Sequence, residues 1–159
     1  MIKIVDGDIL NAKENLIGHQ VNCLGFMGTG LARQVKRKHM YVFGQYIKLI
    51  SEENTIYGTS KELLGLNQYV QVDNKKYIVN MFGQYDINEH GEREVKTDLS
   101  ALRKCLKELR ERAEKYSLSV ALPYKLGSDR GGAEWNDVLK IIEEEFNGYD
   151  KITLYRLNK

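Results

Sequence analysis

The stretch from residue 19 to residue 31, HQVNCLGFMGTGL, places a histidine, an asparagine and three glycines close together. A short apolar run precedes it and a mixture of apolar and basic residues follows, which predicts a strand, a tight turn and a helix. The first N–H groups of a helix have no partner within the helix, and the helix dipole favours an anion in front of them. Glycine lets a ligand approach the main chain and tolerates a positive φ, so Gly25, Gly28 and Gly30 indicate a candidate phosphate-binding loop.

The spacing of these glycines excludes two common phosphate-binding loops. A Walker loop has a lysine and then a serine or threonine after its last glycine, whereas Leu31 and Ala32 follow Gly30. The dinucleotide fingerprint is Gly-x-Gly-x-x-Gly, and this chain has the reverse order, Gly-x-x-Gly-x-Gly. The pattern alone is equally typical of an ordinary strand-to-helix turn.

A second glycine-rich loop and a pair of carboxylates add further candidate ligands. The chain's only proline, Pro123, closes a predicted strand, and the loop after it reads YKLGSDRGGA at 124–133. Near the start of the chain, Asp6 and Asp8 follow the first predicted strand. Either carboxylate could cap a turn or accept a hydrogen bond from an amine of a ligand.

The strands and helices that must position these loops alternate along the chain. Strands are predicted over 2–5, 16–21, 69–72, 77–81, 119–123 and 152–157, and helices over 31–38, 42–50, 99–116 and 134–146. The turn at 73–75 predicts a hairpin, so part of the sheet is antiparallel. The pattern therefore predicts an α/β fold, a three-layer α/β/α sandwich with a mixed six-stranded sheet. Ligands of such sheets bind at the carboxyl ends of the strands, where both glycine loops fall.

Length and composition are those of an ordinary globular protein. The 159 residues predict a single domain over 1–159, and the net charge of +2 is too small to indicate nucleic acid or an anionic membrane as the primary partner. Cys23 and Cys105 lie far apart and flank no other ligand at metal-binding spacing, which predicts reduced thiols and no metal site. Without a signal-like or membrane-spanning apolar run, we expect a cytoplasmic protein. We also expect it to be monomeric and to need no cofactor.

Four motifs, in this order, resemble those of macro domains, the ADP-ribose-binding fold. They are Gly7-Asp8-Ile9, Asn22 with the Gly-Thr-Gly-Leu loop at 28–31, Leu126-Gly127-Ser128 with Trp135 beyond it, and the closing Ile152-Thr153-Leu154-Tyr155. His19 before the asparagine and Met27 before Gly-Thr-Gly are similar to one branch of the family. That branch contains ADP-ribose-1″-phosphate phosphatases and terminal ADP-ribose–protein glycohydrolases.

The resemblance implies a role for each motif. Asp8 would accept the exocyclic amine of adenine, the Ile9 N–H would donate to a ring nitrogen, and Tyr155 would stack on the base. The contacts implied for the distal ribose and the diphosphate are Asn22, Gly28, Thr29, Gly30, Leu31, Phe82, Gly127, Ser128, Asp129 and Arg130. Trp135 is expected to pack and so to position its loop.

Two departures from the family's pattern bear on the mechanism. Asp129 stands where the family usually has a glycine, and Phe82-Gly83-Gln84 lacks the lysine with which the glycohydrolase branch forms a covalent sugar intermediate. His19 and Asp129 are therefore the candidate catalytic acid or base, with a structural hydrogen-bonded role as the alternative for His19. We expect a hydrolase that removes a phosphate, or an ester-linked protein or nucleic-acid acceptor, at the distal ribose C1″. The competing prediction is a reader module that binds ADP-ribose without turnover.

Overall fold

The computed structural model describes residues 2–157 and contains a six-stranded sheet between two layers of helices. The strands are β1 (Lys3–Asp6), β2 (Leu16–Val21), β3 (Asn67–Asp73), β4 (Lys76–Phe82), β5 (Val120–Pro123) and β6 (Ile152–Arg156). The helices are α1 (Gly30–Lys38), α2 (Met40–Tyr57), α3 (Leu99–Tyr116) and α4 (Trp135–Glu145), with short 3₁₀ helices at Ile9–Asn11 and Lys61–Leu63. The strand order is β1-β6-β5-β2-β4-β3, and every neighbouring pair is parallel except β3 and β4. The predicted mixed six-stranded α/β/α sandwich is confirmed.

The central strand β2 is covered on both faces. Leu16 packs in the core under α3 and α4, whereas Ile17 and Val21 belong to the clusters under α1 and α2. A Cβ on Gly18 would lie 2.8 Å from a methyl carbon of Leu122, so α3 and the neighbouring strands approach the backbone of β2 closely. This packing holds the carboxyl end of β2 in a fixed position.

Local sequence patterns explain where the helices and the hairpin begin and end. Asp98 caps α3, since its carboxylate accepts a hydrogen bond from the Ala101 N–H at 2.9 Å. α2 ends at Gly58, whose φ of 73° is left-handed. The predicted hairpin joins β3 to β4. Within residues 2–157, none of the helices combines the length and the apolar character that a membrane span needs.

Candidate functional site

The candidate site lies where the five parallel strands end at one edge of the sheet. The loops at this edge carry nearly all of the predicted ligand residues: Asp8 and Ile9 after β1, Asn22 and residues 28–31 after β2, residues 127–130 after β5, and Tyr155 near the end of β6. The parallel register explains this arrangement, because it turns the carboxyl ends of β1, β6, β5 and β2 toward the same side.

The loop after β2 is shaped by the side chain of Asn22. Its Oδ1 accepts hydrogen bonds from the N–H groups of Leu24, Gly25 and Phe26 at 3.0, 3.1 and 3.2 Å. Its Nδ2 donates to the Phe26 carbonyl at 2.8 Å, and the Tyr46 hydroxyl lies 2.9 Å from Oδ1. Asn22 is 5% exposed. In this structure Asn22 therefore organises its own loop, and its predicted contact with the distal ribose stays a prediction.

The same loop ends in the open N-terminus of α1. Thr29 occupies the N-cap position, and in the described part of the chain its side chain makes no capping hydrogen bond. Gly30 has a φ of 58°, and a Cβ on Gly28 would meet nothing within 4 Å. The helix hydrogen bonds start only where the Arg33 N–H donates to the Thr29 carbonyl. The amides before Arg33 therefore form a main-chain site that suits an anion.

The loop after β5 meets this helix start. A Cβ on Gly30 would lie 3.7 Å from Cγ of Arg130 and 3.9 Å from Oδ2 of Asp129, so the two loops are in contact. Gly127 has a φ of 70°, and its carbonyl accepts from the Ala133 N–H at 3.0 Å, which closes the loop on itself. Asp129 and Arg130 are both exposed and thus open to a ligand.

Trp135 begins α4 and packs against the base of this second loop. It is 8% exposed, and its ring centroid lies 4.9 Å from that of Tyr124. This position agrees with the packing role expected for Trp135, which holds the end of the loop against the core.

A cluster of polar side chains below the second loop was not predicted from the sequence. Gln20 Nε2 donates to Gln84 Oε1 at 2.7 Å and to Thr97 Oγ1 at 2.8 Å, and Thr97 Oγ1 donates to the Gly127 carbonyl at 2.7 Å. The N–H of Thr97 also donates to the Gly131 carbonyl at 3.0 Å. We call Gln20, Gln84 and Thr97 the loop anchor, because they join the end of β2 to the segments after β4 and β5.

Two glycines make room for the loop anchor. A Cβ on Gly131 would lie 2.1 Å from Thr97 Oγ1 and 2.7 Å from the Gly127 carbonyl oxygen, and a Cβ on Gly83 would lie 2.3 Å from Gln20 Oε1. Gly83, two residues after a predicted strand, and Gly131, beside a second glycine, were the sequence signals that could have indicated this close packing.

The far end of the site, after β1 and β6, contains Asp8 and Tyr155. Asp8 Oδ1 accepts from the Leu10 N–H at 2.9 Å and so caps the first 3₁₀ helix. A Cβ on Gly7 would lie 3.8 Å from the Tyr155 ring, so the ring lies beside the Asp8 loop. The Tyr155 hydroxyl donates to Glu14 Oε1 at 2.6 Å. Burial, together with this carboxylate, raises the pKa of Tyr155 to about 12.

His19 and Phe82 lie inside the molecule rather than at the mouth of the site. His19 is 2% exposed, and its Nε2 lies 2.6 Å from Asn80 Oδ1 on the neighbouring strand. Burial lowers the pKa of His19 to about 4, against a smaller raising effect of the Asn80 hydrogen bond. Phe82 is 0% exposed and stacks on Tyr46 at 5.9 Å. Both side chains are thus closed off from solvent in this structure, and the expected contact of Phe82 with a ribose and the catalytic or structural role of His19 stay predictions.

Lys96 is poorly suited to act as a nucleophile. Its Nζ, on the segment between β4 and α3, lies 3.0 Å from Glu94 Oε2 and 3.5 Å from Asp86 Oδ2. The hydrogen bond with Glu94 is the main reason that its pKa is raised, which keeps the amine protonated. Among residues 2–157, no three His, Cys, Asp or Glu side chains are grouped so that they could hold a metal ion.

A separate surface cavity lies along the edge strand. Its volume is about 470 Å³, and it is lined by side chains of α2 and β3 that include Tyr41, Gln45 and Gln68. It does not involve the loops at the carboxyl ends of the parallel strands.

Known proteins are similar to this chain both in sequence and in fold. No family model matches the chain. Two curated proteins, each named DNA ADP-ribosyl glycohydrolase, from Mycobacterium bovis (strain BCG / Pasteur 1173P2) and Mycobacterium tuberculosis (strain ATCC 25618 / H37Rv), are 30% identical to it over 151 residues. The match covers 92% of this chain but 39% of each relative, so the chain spans about two fifths of the length of these curated relatives.

Solved structures are similar over the whole chain. A protein of unknown function from Bacteroides thetaiotaomicron has a TM-score of 0.84 and 27% identity, over 99% of this chain and 98% of that one. The macrodomain of Mycobacterium tuberculosis DarG has a TM-score of 0.77 and 26% identity, over 100% of this chain and 98% of that one. The order of the motifs, the two loops at one sheet edge and these similarities agree, and the chain has the fold of a macro domain.

Proposed function

We propose that this chain binds ADP-ribose and hydrolyses the bond between C1″ of the distal ribose and an acceptor group. The observation that supports this proposal most is the contact between the two glycine loops, at Gly30 and residues 129–130, in front of the open N-terminus of α1. Main-chain amides and the Arg130 guanidinium provide donors for two phosphate charges, and charge-assisted hydrogen bonds are the stronger kind.

The order of the strands supports one orientation of the ligand. Adenine would lie at the β1 and β6 end, near Asp8 and Tyr155, and the diphosphate would lie across the loops after β5 and β2. From β1 to β2 the sheet advances by three strand spacings, which is about 14 Å. An extended nucleotide diphosphate spans a distance of this order, so its distal ribose would lie beside the Asn22 loop.

Asp129 is the residue to which we assign the acid or base role. Its carboxylate is exposed and lies beside the N-terminus of α1, whereas His19 is buried and neutral near physiological pH. In the proposed step Asp129 accepts a proton from a water molecule, and the water oxygen forms a bond to C1″. The bond from C1″ to the acceptor breaks, and the acceptor leaves with the electron pair and takes up a proton from solvent. No covalent enzyme intermediate is needed, in keeping with the salt-bridged Lys96.

We favour a nucleotide as the acceptor, because the curated relatives at 30% identity are named DNA ADP-ribosyl glycohydrolases. A 1″-phosphate and an ester-linked acidic side chain are the other acceptors that the same geometry would admit. We further propose that residues 1–159 act as one monomeric domain in the cytoplasm, where the buried thiols of Cys23 and Cys105 would stay reduced.

Titration with ADP-ribose in a calorimeter tests the binding part of the proposal. Asp8→Ser keeps an oxygen that can cap the Leu10 N–H but removes the carboxylate expected to hold adenine. Loss of a hydrogen bond to a charged group, about 1.5–3 kcal/mol, should weaken binding about 10- to 150-fold. Wild-type binding by the Asp8→Ser variant would contradict the orientation, and no heat at millimolar ADP-ribose would contradict the proposal.

Turnover is tested with three substrates: an ADP-ribosylated oligonucleotide, an ADP-ribosylated acidic peptide and ADP-ribose-1″-phosphate. We expect release of ADP-ribose from the first, and loss of that activity with retained ADP-ribose binding in Asp129→Asn. Activity that survives in Asp129→Asn would refute the assignment of Asp129. Tight binding with no product from any substrate would instead support a reader module, which the absence of a lysine from Phe82-Gly83-Gln84 favours.

A further inference from the structure

Phe26 is an exposed aromatic residue on a loop whose backbone is fixed. The residue is 54% exposed, yet its N–H and its carbonyl are both hydrogen-bonded to the Asn22 side chain, at 3.2 and 2.8 Å. The exposure of the ring therefore belongs to a defined conformation of the loop that borders the candidate site. An aromatic face held in solvent is suited to stacking against a nucleobase.

The segment that contains this loop and the helix after it has basic residues but no acidic ones. From Asn15 to Ser51 there are five basic residues and neither Asp nor Glu: Arg33, Lys36, Arg37, Lys38 and Lys48. Lys38 is engaged with the Leu10 carbonyl at 2.7 Å, and Lys36 lies 4.0 Å from the centroid of the Phe43 ring. The small net charge of the whole protein thus conceals a segment whose charged residues are all basic.

Arg33 and Arg37 are the two arginines of α1, and both remain available to a ligand. Both are exposed, and their i, i+4 spacing places them on one face of the helix. Neither takes part in an ion pair within residues 2–157. Arg130 lies against Gly30, and therefore at the start of the helix that carries Arg33 and Arg37, with the Asp129 carboxylate beside it.

We propose that Phe26, Arg33 and Arg37 form a docking surface for a single-stranded nucleic acid that continues from the modified nucleotide. We call these three residues the strand surface. The inference rests on the proposed function and specifies the acceptor: Phe26 stacks a neighbouring base, and the two arginines contact phosphates. An acidic peptide would match the charge but has no aromatic base to stack on Phe26, so a nucleic acid strand fits better.

Binding and turnover of short deoxyoligonucleotides test the strand surface. We expect an unmodified fluorescent dT8 to bind, and the KM of an ADP-ribosylated 8-mer to be lower than that of an ADP-ribosylated mononucleotide. Phe26→Ala should weaken both effects at least about fivefold, as expected for loss of one stacked base, whereas Phe26→Tyr should retain them. In Arg33→Gln/Arg37→Gln, the slope of log K against log salt should fall by about 1.4, since each phosphate contact on a single strand contributes about 0.7.

A matched control removes the same two positive charges from the opposite helix layer. Lys107 and Lys115 are exposed on α3, and Lys107→Gln/Lys115→Gln should leave dT8 binding unchanged. Equal losses in the two double variants, or no effect of oligonucleotide length on KM, would overturn the inference. The same dependence on Phe26 with an ADP-ribosylated acidic peptide would overturn it in favour of a peptide partner.

The two proposals fail separately. If dT8 binds through the strand surface but free ADP-ribose does not bind, the proposed function fails and the docking surface stands. If ADP-ribose binds and dT8 does not, the docking surface fails alone.

Discussion

Replacing Thr97 by valine should loosen the second glycine loop without disturbing the shape of the core. The Thr97 hydroxyl accepts a hydrogen bond from Gln20 at 2.8 Å and donates one to the Gly127 carbonyl at 2.7 Å. Valine has nearly the same volume and removes both hydrogen bonds. The perturbation therefore acts on one tether between β2 and the loop that carries Asp129.

The loss of stability in Thr97→Val depends on which hydrogen bonds its former partners keep. Gln20 keeps its hydrogen bond to Gln84 at 2.7 Å, and the Gly127 carbonyl keeps the one from the Ala133 N–H at 3.0 Å. Because neither partner is left wholly unsatisfied, the loss should be about 1 kcal/mol for each bond, or about 2 kcal/mol in total. For a protein of this size that corresponds to a fall in Tm of about 4–8 °C. A loop that must be ordered by its ligand should also bind ADP-ribose about tenfold more weakly.

Thermal unfolding and calorimetric titration of three variants provide the assay. Thr97→Ser retains the hydroxyl and should bind ADP-ribose as the wild type does, so it serves as the conservative rescue. Thr55→Val makes the same substitution on the exposed side of α2, where the hydroxyl donates to the Ser51 carbonyl at 2.9 Å, and should leave ADP-ribose binding unchanged. If Thr97→Val lowers Tm but binds ADP-ribose with wild-type affinity, the hydroxyl is structural and the positioning argument is refuted. An unchanged Tm would refute the hydrogen-bond estimate itself.

Three further predictions concern the buried parts of the site and its supporting strand. The pKa of His19 is about 4 in the folded protein and about 6.5 for an unperturbed histidine, so the unfolded chain binds more protons between these values. The free energy of unfolding should therefore fall by about 3 kcal/mol as the pH falls from 6.5 to 4, and His19→Gln should flatten that slope in urea titrations; parallel pH profiles would contradict this. Tyr46→Phe removes the hydroxyl 2.6 Å from the Asn22 carbonyl and should lower the free energy of unfolding by about 1–3 kcal/mol, whereas an unchanged urea midpoint would show that this hydrogen bond contributes nothing. Gly18→Ala places a Cβ 2.8 Å from a neighbouring methyl carbon and should destabilise the protein by about 1–3 kcal/mol, while Gly44→Ala in open space on α2 should stabilise it by about 0.5–1 kcal/mol; the opposite order would contradict the packing argument.

The sequence predicts the elements of the fold because short-range patterns determine them. The Asp98 cap, the turn at 73–75 and the apolar stripe of α3 each depend on residues a few positions apart. The order of the strands and the parallel register depend on contacts between distant segments. The alternation of strands and helices indicated an α/β sandwich but did not determine the order of the strands within it.

The burial of His19 and Phe82 has one physical cause. β2 and β4 pair in parallel with His19 opposite Asn80 and Val21 opposite Phe82. α2 covers this face of the sheet, so Phe82 packs against Tyr46 and the His19 ring is closed off from solvent. The apolar residues two positions on either side of His19, Ile17 and Val21, were the available signal that its face is buried.

The loop anchor escaped prediction because its members are far apart in the sequence and individually ordinary. Gln20 and Thr97 are 77 positions apart, and a glutamine in a strand has no pattern that indicates a loop far along the chain. The folded arrangement nevertheless gives the end of β2 a double role. Asn22 fixes the loop after β2, and Gln20, two residues earlier, holds the loop after β5 through Thr97. Because one strand end fixes both loops, a change that moves β2 should alter the two phosphate-binding segments together rather than one at a time.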